Sequence, residues 1–164
     1  MASTYTPIAT QTLGSSAATV TFSSIAGTYT DLILVSLFKN TGGAGNLKIQ
    51  FNGDTATNYS WTNLYGNGTS ASSGRNSSQT SLIFGQADST QLLFNTLQIM
   101  NYANTTTYKT TLSRSNDNGN TYSSTGAIVG LWRKTPEAIT SLSIFSDSNI
   151  AAGSTFTLYG IKAA

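Results

Sequence analysis

Six carboxylates, Asp31, Asp54, Asp88, Asp117, Glu137 and Asp147, make up the acidic set of a chain with neither histidine nor cysteine. Those two absences remove the His-centred triad, the thiol nucleophile and the ordinary zinc site. Carboxylates alone could still hydrolyse a glycoside, which needs two of them roughly 5 to 10 Å apart across a cleft. Most of the six instead fall at turns or strand starts, where Asp accepts local backbone hydrogen bonds. No catalytic residue is assigned, and the chain is not expected to be an enzyme. Two oxygen-rich turns, Asn52-Gly53-Asp54 and Asp117-Asn118-Gly119-Asn120, could ligate calcium. No EF-hand spacing follows either, so neither a metal nor a cofactor is expected.

The aromatics offer a different chemistry. Tyr59, Trp61 and Tyr65 stand close together ahead of a Ser/Asn/Gly segment, and such a cluster could serve as a platform for a glycan or a partner. Packing is the favoured alternative, because large aromatics commonly fill cores. With Leu64 their spacing predicts a short helix over residues 55–65, stapled to one end of the fold by Trp61 and Tyr65. Asp54 or Thr55 would cap that helix. Trp132 is expected in the core or at its rim, against the last strands. Arg75, Lys109 and Arg114 could meet acidic groups on a partner, but are expected to be scattered surface charges facing water.

Short strands must position these groups. The stretch Ser141–Ile161 holds two alternating apolar runs, one with Leu142 and Ile144 on one face and the other with Phe156 and Leu158. Each run predicts a half-buried strand, and the last is expected to return into a sheet and close the fold. Tyr5–Leu13 carries Pro7 and reads as an edge strand, or as an extended arm over residues 1–8. Asp31–Phe38 is the most apolar run and reads as a strand covered on both sides, or as a central one. Further strands are expected at Thr19–Phe22, Leu47–Phe51, Ser81–Phe84, Leu92–Tyr102, Tyr108–Ser115 and Ala127–Arg133. Asn67–Thr80 is low in complexity and reads as a long surface loop. About nine or ten short strands at near-regular spacing predict one all-β domain over residues 1–164. Its expected form is an antiparallel β-sandwich of the jelly-roll kind.

Composition narrows the partners. Charged residues are 9% of the 164, against about 25% in an average domain. With 38% hydrophobic residues, the chain lacks the signature of disorder. A net charge of +2 from dispersed basic residues offers no electrostatic grip on nucleic acid. No apolar run reaches membrane-spanning length, and no basic segment precedes an apolar one at the N-terminus. Neither a membrane nor a secretory signal is therefore expected. Glycosylation-type triplets at Asn58, Asn67, Asn76 and Asn104 are expected by chance in so Asn-, Ser- and Thr-rich a sequence.

Several phrases carry a resemblance. Gly130-Leu-Trp-Arg-Lys-Thr-Pro-Glu-Ala-Ile-Thr-Ser-Leu-Ser-Ile144 and Ala152-Gly-Ser-Thr-Phe-Thr-Leu-Tyr-Gly-Ile161 resemble the C-terminal half of a family of small virion proteins of tailed bacteriophages. Phe51-Asn-Gly-Asp-Thr-Ala-Thr-Asn-Tyr-Ser-Trp61, Leu64-Tyr-Gly-Asn-Gly68 and Ile99-Met-Asn-Tyr-Ala-Asn-Thr-Thr-Thr-Tyr-Lys109 resemble other phrases of it, and Tyr5-Thr-Pro-Ile-Ala-Thr10 its usual opening. The resemblance implies a structural component of the particle's outer surface, made in the host cytoplasm. It is expected to be a capsid decoration (cement) protein, a homotrimer seated on the major capsid protein. The alternative is a receptor- or glycan-binding domain of a tail fibre or spike, with Tyr59, Trp61 and Tyr65 as its platform. The shared phrases are strand and turn phrases, so no site residue carries over.

Overall fold

The computed structural model describes residues 4–116 and 125–162. Twelve strands, β1 (Tyr5–Thr12), β2 (Ala17–Phe22), β3 (Asp31–Phe38), β4 (Gly45–Phe51), β5 (Tyr59–Gly66), β6 (Ala71–Gln79), β7 (Leu82–Ala87), β8 (Leu93–Met100), β9 (Lys109–Asn116), β10 (Thr125–Trp132), β11 (Leu142–Ile150) and β12 (Thr155–Ile161), account for the regular structure of those residues. They form an eight-stranded sheet of order β1-β12-β3-β8-β9-β10-β5-β6 and a four-stranded sheet of order β2-β11-β4-β7. Every named pairing is antiparallel. The two sheets pack face to face as a β-sandwich. The strand orders go no further towards a jelly roll, whose plan is eight strands in two Greek keys.

Strand alternation builds the core. In β3, Leu32, Leu34, Ser36 and Phe38 are fully buried, whereas Ile33 and Val35 on the other face are only half covered. Leu34 lies between Leu158 of β12 and Leu97 of β8, which makes one apolar row across three strands. Leu47, Ile49 and Phe51 of β4 and Leu142 and Ile144 of β11 meet it from the small sheet. Each fully buried Leu or Ile contributes about 1.5–3 kcal/mol relative to exposure.

The last two strands do not pair with each other. β11 lies inside the small sheet and β12 inside the large one, so the turn between them carries the chain across the sandwich. β12 is inserted between β1 and β3. From Tyr5 onward the N-terminal segment is an edge strand rather than an arm, and Pro7 sits at a register shift. An edge strand can forgo the ladder donor that proline lacks.

Two further expectations are corrected. There is no helix at 55–65: β5 occupies Tyr59–Gly66 and is paired on both sides, by β10 and β6. Tyr59, Trp61 and Tyr65 are separated by even numbers of residues and so share one strand face, a period that Leu64 on the opposite face obscures. Asn67–Thr80 is not one long loop but a tight turn followed by edge strand β6. Its Ser and Asn side chains bury almost nothing, so β6 is held by its backbone ladder to β5 and leaves no apolar pattern to read.

Close packing between the sheets depends on Gly85. A bulge in β7 turns both Phe84 and Gly85 inward. A Cβ at Gly85 would overlap the side chain of Asn95, a fully buried residue of the opposite sheet, closest at Oδ1 and 2.5 Å from Cγ. Gly85→Ala is expected to lower unfolding free energy by about 1–3 kcal/mol, the usual range for overpacking. Chemical denaturation followed by circular dichroism checks this, and an unchanged midpoint would count against the packing described.

Candidate binding face

The acidic residue nearest the aromatics is committed to structure. Asn52 and Gly53 adopt positive φ of 52° and 67°, closing the turn after β4, and the Asp54 N–H donates to the Phe51 carbonyl at 2.9 Å. Oδ1 of Asp54 accepts from the Ala56 N–H at 3.0 Å. Oδ2 accepts from Asn58 Nδ2 at 2.9 Å and from Trp132 Nε1 at 2.7 Å. Trp132 in turn stacks on Tyr59 (centroids 6.2 Å, interplanar 18°) and meets Phe51 edge-on at 5.4 Å. Trp132 is thus a core residue, but its partners are β4 and β5 rather than the final strands.

Asn52 ties the same turn to the segment before β11. Its Nδ2 donates to Glu137 Oε1 at 2.9 Å and to the Ala138 carbonyl at 2.8 Å. Its Oδ1 accepts from the Thr140 and Ser141 N–H groups at 2.8 and 3.1 Å. Glu137 Oε1 also accepts from Lys134 Nζ at 3.0 Å. Among the described residues, no group of three or more Asp and Glu side chains is placed to hold a metal. The Asp117–Asn120 turn lies outside the described residues. Lys109 is not a surface charge: it is 1% exposed and donates to the Thr107 carbonyl at 2.8 Å. Burial pushes its ammonium pKa down, opposed by the Glu137 charge.

These contacts make stability depend on acid. Burial raises the Asp54 carboxyl, but hydrogen bonds from Asn58, Trp132 and Ala56 outweigh it and leave the pKa below its ordinary value. Glu137 is lowered chiefly by Asn52, and Asp88 by the Thr90 hydroxyl. Asp147 is raised by burial but lowered more by Lys48 and Asn46. A carboxyl lowered on folding stabilises above its unfolded value, about 4, and loses that contribution as pH falls through the folded value. The melting temperature is therefore expected to hold near neutral pH and fall below about pH 4, with a shallower fall in Asp54→Asn. A melting series across that range measures it. Equal slopes in the two proteins would remove Asp54 from the account.

The three aromatics singled out in the sequence do not share an exposed surface. Tyr59 is fully buried, its hydroxyl donating to the Asp54 carbonyl at 3.0 Å. Burial raises its pKa. Trp61 is half-buried against the core, and its Nε1 has no partner among the described residues. Tyr65, 41% exposed, stands at the open end of a crevice between the sheets, beside Asn63, Gln86 and Ile128. β5 turns these side chains towards the small sheet, which stops at β7.

The other face of the large sheet is the open one. On β3, β8 and β9, Leu37, Phe94 and Leu112 are 43%, 44% and 39% exposed. Leu37 pairs with Phe94, Ile33 and Val35 continue that face half-buried along β3, and Thr96, Gln98 and Arg114 stand between Phe94 and Leu112. Further along, β9, β10, β5 and β6 carry two adjoining grooves. One, of about 400 Å³, has Ser60, Thr62, Val129 and Leu131 on its floor and Arg75 and Arg133 beside it. The other, of about 490 Å³, is lined by Leu64, Ala127, Thr125 and Arg114. The sequence reading missed this assembly. Outward positions on β10 alternate Ala127, Val129, Leu131, but nothing local shows that Ser60 and Thr62 lie beside them or that Arg75 closes the far side.

No protein-family profile and no curated protein matches the chain. Among solved structures, the chain is similar to SCLam, a non-specific endo-β-1,3(4)-glucanase from family GH16, at 10% identity over 88% of this chain and 63% of that one, with a TM-score of 0.27. It is also similar to the CBM2 module of Lactobacillus casei BL23 phage J-1 evolved Dit, at 6% identity over 89% of this chain and 69% of that one, with a TM-score of 0.21. The chain thus spans less than two thirds of the glucanase. Likeness this distant carries no argument about ligand or activity.

Proposed function

We propose that the chain is a non-catalytic structural protein of a bacteriophage particle, a capsid decoration protein that docks on the major capsid protein as a homotrimer. The carrying observation is the outer face of β3 and β8, where the cross-strand pair Leu37–Phe94 stays exposed beside half-buried Ile33 and Val35. Large apolar side chains left exposed side by side suit a protein neighbour better than water. The virion-type phrases across the sequence agree with it, and so do carboxylates engaged in holding turns. Repeated weak contacts with several shell subunits would multiply into firm retention.

Quantitative mass spectrometry of purified particles tests the proposal. The expected copy number is comparable to that of the shell protein, and Phe94→Ser is expected to fold but to be lost from particles on washing. A copy number far below that of the shell protein would overturn the decoration role. A tail-fibre binding domain is the second reading, favoured by the arginine-flanked grooves at the other end of the same face.

A further inference from the structure

The chain's three arginines, Arg75, Arg114 and Arg133, all line the two grooves, whereas its five lysines line neither. No Asp or Glu occurs in β5, β6, β9 or β10, the strands that form that surface. The two ion pairs among the described residues, Lys48–Asp147 and Lys134–Glu137, involve none of the arginines. Guanidinium groups are planar forks suited to carboxylate, sulfate or phosphate, and three of them border this face with no ion-pair partner among the described residues. Between them lie the hydroxyl groups of Ser60, Thr62 and Thr110 and an apolar strip of Val129 and Leu131.

We propose that this surface binds an anionic oligosaccharide chain, its acidic groups held by the arginines and its hydroxyls by the Ser and Thr side chains, with its C–H faces on Val129 and Leu131. The three strand steps from β9 to β6 set the lateral offset of Arg114 and Arg75 at roughly 14 Å, so the ligand is a chain rather than a single sugar. A nucleic-acid strand fits less well. It needs successive exposed aromatic faces, and Trp61 is packed against the core. The proposal does not rest on attachment to a capsid.

Titration calorimetry with the full chain tests it, using oligogalacturonate as the carboxylated probe, a sulfated galactan, a neutral galactan and oligo(dT). Oligogalacturonate or the sulfated galactan is expected to bind and the neutral galactan not to, with affinity falling as salt rises. Arg75→Gln and Arg133→Gln are each expected to weaken binding about tenfold. Both are partly or fully solvent-exposed, and unchanged melting curves would show that they fold. Absence of binding to either acidic glycan, equal binding to the neutral one, tighter binding to oligo(dT), or unchanged affinity in the double variant would each overturn the proposal. Particle copy number is unaffected by any of these outcomes, so this site and the decoration role fail separately.

Discussion

Trp132→Ala is expected to lower unfolding free energy by about 3–5 kcal/mol, the cost of deleting a large buried ring. Trp132 is 2% exposed and fills the space between Phe51 and Tyr59. Truncation would leave a cavity there and remove a donor from Asp54, whose Oδ2 would keep Asn58 alone. Trp132→Phe separates the two effects. It keeps most of the ring burial but loses the indole N–H, and a hydrogen bond to a charged group is worth about 1.5–3 kcal/mol. Urea unfolding followed by circular dichroism measures both variants. A loss below about 1 kcal/mol for the alanine variant would mean that the Asp54–Trp132–Tyr59 cluster is not a stabilising centre.

Leu158→Asp is expected to abolish the cooperative fold. Leu158 is fully buried in β12, between Ala9 of β1 and Leu34 of β3. A carboxylate there has no partner, and its desolvation costs several kcal/mol. A domain of this kind has a total stability of only about 5–15 kcal/mol. The neighbouring Thr157 faces the other side of the sheet, where its hydroxyl accepts from Thr10. Thr157→Asp is expected to cost about 1 kcal/mol or less. The contrast between adjacent positions reads the strand's orientation directly. A cooperative thermal transition surviving in Leu158→Asp would place β12 outside the core.

Legibility in the sequence followed burial. β3, β4, β8 and the runs of β11 and β12 were readable because each has one face of large apolar residues against the core. β6 was not, since an exposed edge strand of Ser, Asn and Gly has no apolar face to betray its period. β5 was misread for a related reason. The small sheet ends at β7, so the inward side of β5 runs from buried Tyr59 to exposed Tyr65 and its alternation fades along its length. Asp54 was recognisable as a turn residue. That its carboxylate also receives the Trp132 indole, 78 positions away, was not.

By itself, then, the sequence determined an all-β chain without histidine or thiol chemistry, and the inward residues of its apolar strands. Alternation is local: successive side chains point to opposite faces whatever the strand's neighbours. Which strands become neighbours is not local, because backbone ladders form between segments with no sequence complementarity to announce them. Only the tertiary structure placed β11 and β12 in opposite sheets, turned Tyr59 and Trp61 inward, and set β9, β10, β5 and β6 side by side so that three distant arginines border one surface.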